Sequence, residues 1–143
     1  MIGLIVTGHG NFASGITSSI DLIAGKQNDY VAVDFDGEGT DKLENDLKAA
    51  LEKLSACDGI IIFCDLAGGS PFKTAVILTA SNPKIKVIAG TNLPMLCEIS
   101  MARTMINDLD VLVSSALNVG KDNIHLFEIQ NTSNDETTDE DGI

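Results

Sequence analysis

Two short segments carry residues whose types and spacing can do chemistry. The first is Thr7-Gly8-His9-Gly10-Asn11, an imidazole flanked by glycines where an apolar run ends. Glycine on both sides removes bulk and lets the backbone turn tightly, so the ring stays open to a partner. Taken alone, a loop histidine is an ordinary surface residue; in this setting it suits a nucleophile or a general base. The second segment is Cys64-Asp65-Leu66-Ala67-Gly68-Gly69-Ser70-Pro71. Asp65 by itself reads as a turn-capping aspartate. Beside an imidazole it accepts a hydrogen bond from one ring nitrogen, fixes the tautomer and frees the other nitrogen to attack. Gly68 and Gly69 precede a helix start, where exposed N–H groups and the helix dipole favour an anion. Ser70 either caps its own helix or offers its hydroxyl to a phosphate oxygen. A nucleophilic nitrogen, an orienting carboxylate and an anion cradle together describe a site that accepts a phosphoryl group by positioning and charge stabilisation.

Other chemistries lack their parts. There is no Walker lysine motif, no G-x-G-x-x-G and no G-x-S-x-G elbow, which removes the usual phosphate loops and the hydrolase nucleophile. A zinc site needs more than His9 and one carboxylate, and the second histidine, His125, falls in the last apolar run. Neither a metal nor a cofactor is expected. Tyr30 is the sole Tyr or Trp, too little to sandwich a flavin.

The elements that must bring these segments together can be read from periodicity. Ile2 to Val6 is near-continuously apolar, the pattern of a parallel strand buried on both faces. Phe12, Ile16, Ile20 and Ile23 then recur at helical spacing, with Gly25 as a stop. Tyr30 to Phe35 is a second strand. Leu43, Leu47, Ala50, Leu51 and Leu54 mark a helix capped by Thr40 or Asp41. Gly59 to Cys64 is the strongest strand and runs straight into Asp65. Ser70 as N-cap with Pro71 at the first position opens the next helix. Ile85 to Ala89 is a fourth strand, Asn92 caps a helix to about Ile106, Asp108 to Val119 is helical, and Ile124 to Ile129 is a last short strand. This succession calls for a doubly wound α/β fold with a mostly parallel sheet. In the order 2-1-3-4, strands one and three flank the switch point, and their carboxyl ends carry His9 and Asp65.

Composition narrows the partners. Lys plus Arg is 9 and Asp plus Glu is 21 in 143 residues, a net charge of -12. That balance argues against a nucleic-acid binder and against attachment to an anionic membrane surface. Five of the acids and no base lie in residues 131–143, leaving 16 acids against 9 bases in the body. Residues 131–143 thus read as an acidic, disordered tail behind a domain spanning 1–130. Cys57, Cys64 and Cys97 are odd in number and lack a C-x-x-C spacing; two of them sit beside or inside apolar runs and read as small hydrophobes, and a reducing compartment is the default. No leader-like segment opens the chain, and a cytoplasmic location is the expectation.

Three motifs in order, Thr7-Gly8-His9-Gly10, Asp65-Leu66-Ala67-Gly68-Gly69-Ser70-Pro71 and Gly90-Thr91-Asn92-Leu93-Pro94-Met95, resemble the mannose-family enzyme IIA domain of the bacterial sugar phosphotransferase system. The resemblance covers residues 1–130. It implies that His9 is transiently phosphorylated by the phosphocarrier HPr and passes the group to a IIB component. IIB in turn phosphorylates a sugar entering through membrane IIC and IID subunits, which hold the choice of sugar. It implies active-site roles for Asp65 and Ser70, with Gly68 and Gly69 beside the phosphate. It makes Asn92, Leu93 and Pro94 a partner surface, and it implies a homodimer that exchanges its last, antiparallel edge strand, here Ile124 to Glu128. Some relatives continue into a IIB domain; the short acidic tail suggests a separate IIB chain here. Two alternatives stand beside this reading: a non-catalytic regulatory binding module on the same fold, and the phosphotransfer subunit of a dihydroxyacetone kinase.

Overall fold

In a computed structural model, which describes residues 1–130, the chain forms a four-stranded sheet between two layers of helices. The acidic tail expected at 131–143 lies outside the described residues. The elements run β1 (Ile2–His9), α1 (Phe12–Ala24), β2 (Tyr30–Phe35), α2 (Asp41–Lys53), β3 (Gly59–Cys64), α3 (Ser70–Thr79), β4 (Ile85–Ile88), α4 (Leu93–Ala102) and α5 (Leu109–Asp122). The strand order is β2-β1-β3-β4, all parallel. This is the doubly wound arrangement and the order read from the sequence.

Burial follows strand position. The central strands β1 and β3 are buried along almost their whole length, as their unbroken apolar runs require. Edge strand β2 alternates instead, with Val33 and Phe35 buried and Ala32 and Asp34 exposed. On one face Leu4, Val6, Ile61 and Phe63 pack under α1, α4 and α5 through Ile20, Leu96, Ile99 and Leu112. On the other, Ile5, Val33, Ile60 and Ile62 meet Leu43 and Leu47 of α2 and Ala75 of α3. Each of these large side chains contributes about 2 kcal/mol by leaving water.

The lower end of the sheet, where the strands start, is fastened by Arg103 just past α4. Its guanidinium is buried and donates to the carbonyl oxygens of Ile2 (2.9 Å) and Asp29 (3.1 Å), to Gln27 Oε1 (3.1 Å) and to the Asn28 carbonyl. Burial lowers its pKa from the ordinary arginine value, although the nearby Asp29 charge opposes the shift.

Two expectations are corrected, and a third concerns a strand that needs a partner edge. Ser70 is the first residue of α3 rather than its N-cap: Gly69 takes the cap position in extended backbone and Pro71 falls second. The helix begun by Asn92 ends at Ala102, ahead of the predicted Ile106. Ile124 to Ile129, expected as a last short strand exchanged at a sheet edge, form no strand within the single chain. Ile124, Leu126, Phe127 and Ile129 are 75–83% exposed, because among the described residues nothing pairs with or covers them.

Candidate functional site

At the carboxyl ends of β1 and β3 the chain brings His9 and Asp65 together. The parallel register sets Thr7 opposite Cys64, so each strand delivers its next residues to the same rim. Asp65 Oδ2 accepts the His9 main-chain N–H at 2.8 Å and lies 2.7 Å from the His9 ring Nδ1. Its other oxygen, Oδ1, accepts the Leu66 N–H at 2.8 Å. Burial pushes the Asp65 carboxyl up, but the hydrogen bonds from the His9 backbone, the His9 ring and Leu66 outweigh it, and the pKa falls below the ordinary aspartate value. An ionised carboxylate only accepts, so Nδ1 is the donor of this pair, and in the neutral ring that tautomer leaves the lone pair on Nε2. The His9 side chain is 47% exposed and that of Asp65 only 12%. A partner can therefore reach the imidazole while the carboxylate stays behind it.

Two glycines make this approach feasible. A Cβ on Gly8 would stand 2.6 Å from a Phe12 ring carbon and 2.9 Å from Asp65 Cγ. A Cβ on Gly69 would stand 2.6 Å from His9 Cε1 and 3.3 Å from Nε2. The backbone before α3 thus runs directly beside the free ring nitrogen, after turning through Gly68 at φ +84°.

The start of α3 differs from every other described helix. Asp34 Oδ1 accepts the Ser14 N–H in the first turn of α1. Asp41 and Glu44 lie in the first turn of α2. Asn92 and Asp108 accept main-chain N–H groups at α4 and α5. The first turn of α3 has neither a side-chain cap nor an acid, so its first amides are left without a side-chain acceptor, a setting that favours an anion. Ser70 is half-buried at that turn and Lys73 is exposed one turn along.

The remaining sequence candidates divide. Asn92 is tied into the fold, accepting from Met95 N–H (3.2 Å) and donating to the Gly120 carbonyl (2.9 Å) across α4 and α5. Leu93 and Pro94 are half-buried beside it. The segment reaches the same rim, since Thr91 N–H donates to the Cys64 carbonyl at 3.1 Å. All three cysteines are free; burial and then the Asp65 charge push the Cys64 thiol up to about 12, which makes it inert. Among the described residues no group of three or more His, Cys, Asp or Glu is placed to hold a metal. No helix there is long and apolar enough to cross a membrane. A cavity of about 590 Å³ opens between α2, α3 and the starts of β3 and β4, lined by Cys57, Leu78 and Lys84 among others; it lies at the far end of the sheet from His9.

Comparison with known proteins places the chain in a family. Residues 3–117 match the family model EIIA-man, described as the fructose IIA component of the phosphotransferase system. The fructose-specific EIIA component of Bacillus subtilis is 29% identical over 98% of this chain and 99% of its own length. The mannose-specific EIIAB component of Escherichia coli is 32% identical over 86% of the chain, which spans only 38% of that longer protein. Among solved structures, a phosphotransferase-system EIIA component from Streptococcus agalactiae superposes with a TM-score of 0.78 at 34% identity, covering 87% of this chain and 96% of that one. The mannose/sorbose IIA subunit from Enterococcus faecalis shares the fold, with a TM-score of 0.82 at 24% identity over 92% and 98% of the two chains. With the match running over most of the domain and one rim gathering His9, Asp65 and the open start of α3, the chain belongs to the EIIA-man family of phosphotransferase-system IIA components.

Proposed function

We propose that this IIA component relays a phosphoryl group through His9. The Nε2 lone pair attacks the phosphorus of phospho-HPr; the new N–P bond forms as the donor's N–P bond breaks, and the leaving nitrogen takes that electron pair. The Nδ1 hydrogen stays on the Asp65 side throughout. The reverse step, with a IIB component as acceptor, empties the site. The Gly69 and Ser70 amides and the Ser70 hydroxyl receive the charge on the phosphoryl oxygens. A negatively charged chain with no base in either motif leaves the complementary positive charge to the protein that docks. The observation that carries this reading is the 2.7 Å contact between His9 Nδ1 and Asp65 Oδ2 on a ring that remains 47% exposed.

The same reading extends to assembly. Four large apolar side chains stand exposed between Ile124 and Ile129, and β4 is an edge strand of the described sheet. A second copy that lays its residues 124–128 antiparallel on β4 covers both at once, which supports an exchanged homodimer. Partner contact at the rim then involves Leu93 and Pro94, with Asn92 holding their helix in place.

The test is intact mass after incubation with phosphoenolpyruvate, enzyme I and HPr. One acid-labile phosphoryl group on wild type and none on His9→Ala is the expected result. A labelled His9→Ala refutes the site, and an unlabelled wild type leaves the fold as a regulatory anion-binding module.

A further inference from the structure

A single hydrogen bond at Nδ1 fixes one point of an imidazole but not its plane, because the ring can still swing about the line to Asp65. The second contact comes from Phe35. Its ring centroid lies 5.7 Å from that of His9 with the planes at 70°, an edge-to-face pair. Phe35 is only 8% exposed and packs into the core beneath α2 with Leu43. Its backbone is pinned on both sides of the histidine: the β1–β2 register sets Phe35 opposite His9, and the Gly10 N–H donates to the Phe35 carbonyl at 2.7 Å. Core rigidity therefore reaches the imidazole through one aromatic side chain.

We infer that Phe35 is a positioning residue that fixes the plane of the His9 ring, and with it the direction of the Nε2 lone pair. This rests on the phosphoryl relay proposed above for its kinetic consequence, but the restraint on the ring is a property of the unphosphorylated chain. Edge-to-face pairs hold their geometry with an energy equivalent to a few-fold to about tenfold in population, and misaligned reacting atoms lose up to about 100-fold in rate. An almost buried Phe35 offers little surface to a docking protein, so its removal acts on the transfer step rather than on association.

The experiment compares wild type, Phe35→Leu and Phe35→Tyr as full-length chains, each checked for cooperative thermal unfolding. Phosphoryl uptake is followed by rapid quench over a range of phospho-HPr concentrations. Ring ¹⁵N relaxation of His9 is recorded without donor. Phe35→Leu is expected to lower the saturating rate about tenfold, to leave the half-saturating HPr concentration within about twofold, and to raise ring mobility at His9. Phe35→Tyr, which keeps the ring, is expected to restore both readouts. An unchanged rate and an unchanged ring in Phe35→Leu overturn the inference. So does a change in half-saturation alone, which assigns Phe35 to docking, or a Tyr variant as impaired as Leu, which assigns it to core volume. If wild type takes up no phosphoryl group, the relay reading fails, and the relaxation data alone still decide whether Phe35 holds the ring.

Discussion

Replacing Asp65 by asparagine isolates the charge at the heart of the site. The side chain keeps its shape, but one of its two ends now donates. With the amide oxygen turned to His9, the NH₂ faces the Leu66 N–H that now bonds at 2.8 Å, donor against donor. Turned the other way, the NH₂ faces the His9 N–H and drives the ring to the tautomer that protonates Nε2. Either arrangement strands a donor, and the two are comparable, so the reactive tautomer is no longer the only one populated. A charge-assisted bond exceeds its neutral counterpart by about 1.5 kcal/mol, worth about tenfold in rate. Adding the tautomer split brings the expected loss of phosphoryl uptake to about 10- to 100-fold, the range found for partners that orient an imidazole. Rapid-quench kinetics with labelled phospho-HPr give the rate, and ring ¹⁵N shifts of His9 give the tautomer. A variant that transfers at the wild-type rate with a mixed tautomer population refutes the reasoning.

Three further outcomes follow from the contacts of this chain. Gly69→Ala places a methyl 2.6 Å from His9 Cε1; the ring must leave Asp65, so uptake falls about 100-fold while the melting temperature, read by circular dichroism, changes little. Arg103→Met removes the buried donor to the Ile2, Asn28 and Asp29 carbonyls and lowers stability by about 3 kcal/mol, or about 10 °C in melting temperature by calorimetry, with phosphoryl uptake at 25 °C retained. Because the folded Asp65 carboxyl titrates below its ordinary value, its stabilisation is complete above the unfolded value near about 4 and is lost as pH falls through the folded one. Urea midpoints of wild type and Asp65→Asn should therefore differ at neutral pH and converge below the ordinary carboxylate range.

What could be read from the sequence was whatever local chemistry determines. Continuous apolar runs such as Ile2 to Val6 and Gly59 to Cys64 give central strands in any context, and with the helices between them they place His9 and Asp65 on one rim. Ser70 shifted by one position because the glycine before it supplies an extended cap that needs no side chain. Residues 124–129 have strand composition, but a strand exists only where a partner edge is present, and composition does not say whose edge that is. Arg103 was silent for a different reason. Three of its four acceptors are main-chain carbonyls 74 to 101 residues away, and a carbonyl has no sequence signature. Phe35 and the Asp34 cap on α1 escaped likewise, since each acts across strands rather than along its own.

The Arg103 fastening has a consequence for how the molecule opens. It ties the start of β1 to the turn before β2 and to the end of α4, whereas the other end of the sheet finishes in glycine-rich turns and an uncapped helix start. Amide hydrogen exchange should therefore run as a gradient along β1, slowest at Ile2 to Leu4 and quickening past Thr7. The clamped end keeps β1 and β2 in register, so fluctuations that start at the rim do not slide one strand past the other.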